Sequence, residues 1–169
     1  MDVIEAILDR RSIRRFKPGE ISEEAVHRLL QAAMYAPSAG NQRPWHFVVL
    51  RDRKLLNAVP EFHPYASMLG EAALAVLVCA DLSLETHPGY WMVDCAAATQ
   101  NLLLAVQASS LGAVWLGIYP RPERMQGMAR LLTLPEQVKP FALVAIGHPA
   151  EHPPRPERFL PERVHRDRW

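Results

Sequence analysis

Residues 94–120 read DCAAATQNLLLAVQASSLGAVWLGIYP. The first two-thirds of this stretch predicts the body of a long helix, about Tyr90 to Leu111. Gly112 follows as the expected C-cap residue, because glycine enters the left-handed region without steric cost. Ala113 to Ile118 then predicts a strand. Just upstream, Ala73 to Ala80 (ALAVLVCA) is apolar on both faces, which predicts a central strand. His46 to Leu50 (HFVVL) and Phe141 to Gly147 (FALVAIG) predict two more. A short helix is expected over Asp52 to Ala58, and another from Pro122 to Leu132, with Pro122 suited to a first turn.

The N-terminal region predicts two further helices. Asp2 is a plausible N-cap ahead of Val3, Ile4, Ile7 and Leu8, and this helix is expected to run into residues 10–16 and stop at Pro18-Gly19. Ser22 caps the second, with Glu23 and Glu24 complementing its dipole and Val26, Leu29, Leu30 and Ala33 inside. Pro37 ends it. Helices and strands in this order make an α+β or mixed α/β layered domain.

The chain has 169 residues with 19 Lys plus Arg against 18 Asp plus Glu, so the formal net charge is +1. Hydrophobic residues make up 49%. This describes one domain with a sizeable core. It offers no global argument for nucleic acid or an anionic membrane surface. The start, Met1-Asp2-Val3-Ile4-Glu5, lacks the basic and apolar regions of a signal peptide. Cys79 and Cys95 lie in apolar segments, as buried reduced thiols would, and a cytoplasmic location is expected. The 15 prolines exceed average usage, and five of them (149, 153, 154, 156 and 161) fall in the charged tail 149–169. Alone, that tail cannot offset its ordering entropy. Its Phe159, Leu160, Val164 and Trp169 favour packing on another surface, a partner subunit among the candidates.

Three segments could carry chemistry. Arg10, Arg11, Arg14 and Arg15 stand within six residues beside Ser12, and at a helix end 10, 11 and 14 could converge on a phosphate. A solvated basic turn explains them equally. Pro37 to Trp45 (PSAGNQRPW) is a loop of small and amide side chains that lets a flat ligand approach the backbone, or simply a loop. Gly117, late in its strand, marks either close approach of a ligand or a β-bulge. Trp91 and Asp94 share a face of the long helix, where they line a pocket or belong to core and surface.

Other motifs fail. His148-Pro149-Ala150-Glu151-His152 matches a zinc pattern that needs a helix, which the surrounding prolines oppose, so no metal site is expected. There is no G-x-G-x-x-G, Walker A or G-x-S-x-G sequence. Without a nucleophile or an acid–base pair, any enzymatic chemistry falls to a bound cofactor.

Taken in order, RRSIRRF (10–16), PSAGNQRPWHF (37–47), residues 94–120, and ALVAIGHP (142–149) with PPRPERFLPERVHRDRW (153–169) resemble the nitroreductase family of FMN-dependent oxidoreductases. The resemblance implies an α+β fold with a central mixed, mainly antiparallel sheet flanked by helices. It implies an intertwined homodimer with two FMN sites, the chain being a single domain (1–169) whose arm 149–169 packs on the partner. Arg10, Arg11 and Ser12 would hold the FMN phosphate and ribityl end, and Arg14 would reach the pyrimidine side of the ring. Pro37, Ser38, Ala39 and Asn41 would come from the other subunit to edge the ring. Leu116 and Gly117 would lie along it, with the Gly117 N–H at flavin N5. Arg158, with Arg155, would return from the tail to the phosphate. The implied activity passes hydride from NADH or NADPH through FMN to a small oxidised acceptor, a nitroaromatic or quinone, in two half-reactions. Reductive dehalogenation, dehydrogenation, flavin fragmentation, or flavin binding without turnover are the alternatives on the same fold.

Overall fold

The computed structural model describes residues 2–169. In chain order the elements are α1 (Val3–Asp9), β1 (Phe16–Lys17), α2 (Glu23–Met34), β2 (Trp45–Leu50), α3 (Arg53–Ala58), β3 (Leu74–Asp81), α4 (Trp91–Ala108), β4 (Gly112–Gly117), α5 (Pro122–Leu131) and β5 (Val138–Pro149). The expected caps form, with the Asp2 and Ser22 side chains accepting from the backbone N–H groups of Ile4 and Ala25, and Asp52, expected inside its helix, caps α3 through Lys54 N–H.

β2, β3 and β5 run side by side, and the other edge of β5 is shared by β4 (opposite 142–147) and β1 (opposite 148–149). All four ladders are antiparallel, and a single parallel bridge joins Ser12 to Ala113. Side chains alternate between two cores. Leu77, Cys79, Leu143 and Ala145 face one core with Leu56, Leu69 and Met128. Leu74, Val76, Val144 and Ile146 face the other with Leu29, Leu102 and Val106. Burial on both faces is why β3 and the centre of β5 read as continuous apolar runs.

Three expectations are corrected. Helix α1 stops at Asp9, and residues 10–17 run extended so that Ile13 and Phe16 are buried against the sheet. The arginines therefore do not share a helical face. Helix α4 ends at Ala108 rather than Leu111, and its cap is not Gly112. Ser110 takes the left-handed position (φ 58°), with Leu111 N–H bonded to Val106 C=O and Ser110 N–H to Gln107 C=O. Gly112 instead opens β4, where a Cβ would meet Ile13 at 2.9 Å. The short strand β1 was not anticipated.

Candidate functional site

The basic segment and the arm are stitched together. Arg11 Nε donates to Pro154 C=O (3.0 Å), and its Nη1 donates to Leu8 C=O and Arg10 C=O. The backbone N–H groups of Arg14 and Arg15 both donate to Glu151 Oε1, and Ala150 N–H donates to Arg15 C=O. Arg155 pairs with Asp9 at 3.6 Å, the ordinary surface use of a cation. Arg10 is different. Burial lowers its pKa, and Arg158 and Arg11 lower it further. Cations gathered this way attract an anion. Of the expected phosphate residues, Arg158 and Arg11 thus lie near Arg10, with Arg11 Nε and Nη1 already committed to backbone carbonyls and Arg155 paired with Asp9. A cavity of about 240 Å³ lies between segment and arm, lined by Arg11, Ile13, Glu151 and His152.

Gly117 closes β4 in continuous register opposite Ala142, so it is not a β-bulge; the register shift lies at Val78/Cys79. The Ala113 C=O accepts from Ile13 N–H, on the side away from β5. Backbone groups alternate along a strand, so the Gly117 N–H and C=O also face outward. The C=O receives Arg124 Nη1 (2.8 Å) and His63 Nε2 (3.1 Å). A Cβ added at Gly117 would meet nothing within 4 Å. Protein packing does not require this glycine, and the open N–H beside it is available to a flat ring.

The loop 37–44 is held from α4. Asp94 is buried, and its Oδ1 accepts from Ala39 N–H (2.9 Å) while Oδ2 accepts from Gln42 Nε2 (2.7 Å). Gln42 Oε1 in turn accepts from the N–H groups of Thr86 and His87. The Ser38 hydroxyl accepts from Arg43 N–H, and Asn41 sits at φ 56°. Among the described residues no hydrogen bond joins this loop to the arginines or to Gly117. The sequence alone leaves the role of Asp94 open. Its signal was an acid flanked by Trp91, Cys95 and Ala98, all buried. His63 and Arg124 carried no signal.

His148 and His152 do not form a helical metal pair. His148 lies in β5, its Nε2 at 3.1 Å from Glu20 C=O, and His152 follows in extended chain.

The sequence profile of the Nitroreductase family matches residues 7–68 and 62–148. The chain belongs to the nitroreductase family. A relative from Methanothermobacter thermautotrophicus, provisionally named an NADH dehydrogenase/NAD(P)H nitroreductase, is 48% identical over all of this chain and 88% of its own length. The crystal structure of a Clostridium acetobutylicum protein provisionally named an NADH oxidase superposes with a TM-score of 0.94 at 39% identity, covering 97% of this chain and 99% of that one. A Desulfovibrio desulfuricans protein provisionally named a nitroreductase, crystallised in complex with FMN, gives 0.86 at 34% identity, covering 99% and 97%. The family's α+β fold is thus the fold seen here. No helix among the described residues is long and apolar enough to cross a membrane.

Proposed function

We propose that this nitroreductase-family chain is an FMN-dependent NAD(P)H oxidoreductase whose site is completed by two copies of the chain. The observation that carries the reading is Gly117: an outward N–H on an open strand edge, beside space that a Cβ would enter without contact. The gathered guanidiniums of Arg10, Arg11 and Arg158 fit a phosphate. The donor set therefore suits FMN. When bound, FMN supplies two-electron chemistry between NADH or NADPH and a small oxidised acceptor of nitroaromatic or quinone type, in two half-reactions.

The chain's own part is binding and orientation. Arg10, Arg11, Ser12 and Arg158 would anchor the phosphate and ribityl end, with Arg155 held instead at Asp9. Arg14, which is exposed, would reach the pyrimidine side, where a cation stabilises the charge of the reduced ring. Gly117 would line one edge, with Leu116 next to it in the chain but its side chain buried in the core. Pro37, Ser38, Ala39 and Asn41, on the loop held by Asp94, would line the other edge of the partner's ring. The exposed side chains of Phe159, Leu160, Val164 and Trp169 support an arm that packs on that partner.

A visible spectrum of purified protein supplied with FMN, before and after anaerobic NADH or NADPH, tests the reading. Bound flavin that bleaches with a nicotinamide and is reoxidised by a quinone is expected. Protein that takes up no FMN overturns it.

A further inference from the structure

The Gly117 carbonyl is unusually well served. Two side chains from separate segments donate to it, Arg124 from α5 and His63 from the irregular stretch before β3. His63 is 1% exposed. Its Nδ1 accepts from Tyr65 N–H (3.3 Å), which leaves the ring proton on Nε2 and makes that atom the donor to Gly117. Arg124 has no carboxylate partner among the described residues, and its Nε is buried without a hydrogen bond. Its guanidinium lies over the exposed Tyr65 ring, 5.6 Å from the centroid. A half-buried cation that no acid neutralises keeps its field. Here that field sits one carbonyl away from the strand-edge N–H.

We propose that His63 and Arg124 are positioning residues. Together they clamp the Gly117 carbonyl so that its N–H is held outward, and the Arg124 charge biases bound flavin toward its reduced form. This rests on the proposed function, so wild-type FMN binding is measured first, and its absence overturns that function itself. Holoprotein is then titrated against a redox dye of known potential. Arg124→Met removes the cation at similar length. It is expected to bind FMN, to shift the flavin absorption bands, and to lower the midpoint potential by ~30 mV or more, the equivalent of a tenfold change in a two-electron equilibrium. Arg124→Lys restores a cation and recovers most of the shift. A folded Arg124→Met protein that binds FMN at unchanged potential overturns the proposal. Flavin-free His63→Leu supplies an independent readout. The backbone order parameter of its Gly117 amide should fall from the rigid-strand value of about 0.85 toward about 0.6, whereas an unchanged order parameter in folded protein overturns the clamp.

Discussion

Glycines at four positions of this chain have two different origins. At Gly112, Gly127 and Gly147 a Cβ would collide with the side chains of Ile13, Phe62 and Phe16, so a neighbouring side chain excludes anything larger. At Gly117 nothing stands in the way. Gly117→Val should therefore leave the thermal midpoint within a few degrees of wild type while abolishing flavin binding, read by circular dichroism and by absorbance after FMN addition. Retained flavin with an unchanged spectrum would put the ring elsewhere. The two cysteines belong wholly to the interior. Burial pushes the Cys79 thiol up to about 12 and raises Cys95 as well, where nearby Cys79 and Asp94 oppose the thiolate further. The thiolate is the reactive form, so its population is negligible at pH 8. Native protein should show no reaction with a thiol reagent over minutes, and two thiols should react once it is denatured. Two fast-reacting native thiols would contradict this burial.

Among the elements, the loop between α2 and β2 draws its shape from elsewhere. Asp94, in the first turn of α4, bonds to Ala39 and Gln42, and Gln42 reaches on to Thr86 and His87. Asp94→Ala strands these donors in a partly buried place. It should cost about 1–3 kcal/mol, measured by urea denaturation, and loosen the loop. A wild-type-like midpoint would mean that water replaces the carboxylate. β3 and β5 were legible because burial on both faces writes itself as an unbroken apolar run. The caps of α1 and α2 were legible because capping is local. β1 was not, since its two residues pair only with the far end of β5. Nor were His63 and Arg124, 61 positions apart in sequence, which meet only at the Gly117 carbonyl. The arginines were legible as a cluster but not as a geometry, because α1 yields to extended chain once Ile13 and Phe16 are drawn into the core.

At the scale of the whole molecule, apolar surface is left over. Helix α1 buries only Ala6, and Val3, Ile4, Ile7 and Leu8 stay exposed, as do Tyr90, Val93, Phe159 and Trp169. A seven-residue helix does not persist alone in water, so a covering partner is expected. A chain ending at Pro154 should keep the core, since every residue after it is exposed. If the arm packs on a second copy, as proposed, the shortened chain should run as a monomer at concentrations where the full chain associates, and lose FMN affinity with Arg158. Light scattering behind size exclusion reads the first effect, and FMN titration the second. A truncated chain that stays dimeric would place the interface on α1 and α4 alone. The stitching of residues 10–17 to 148–154 has a consequence for synthesis. The first arginines leave the ribosome more than a hundred residues before the strand and arm that hold them. A nascent chain therefore carries the residues proposed to bind phosphate without their partners until translation is nearly done, so FMN uptake is expected only after release.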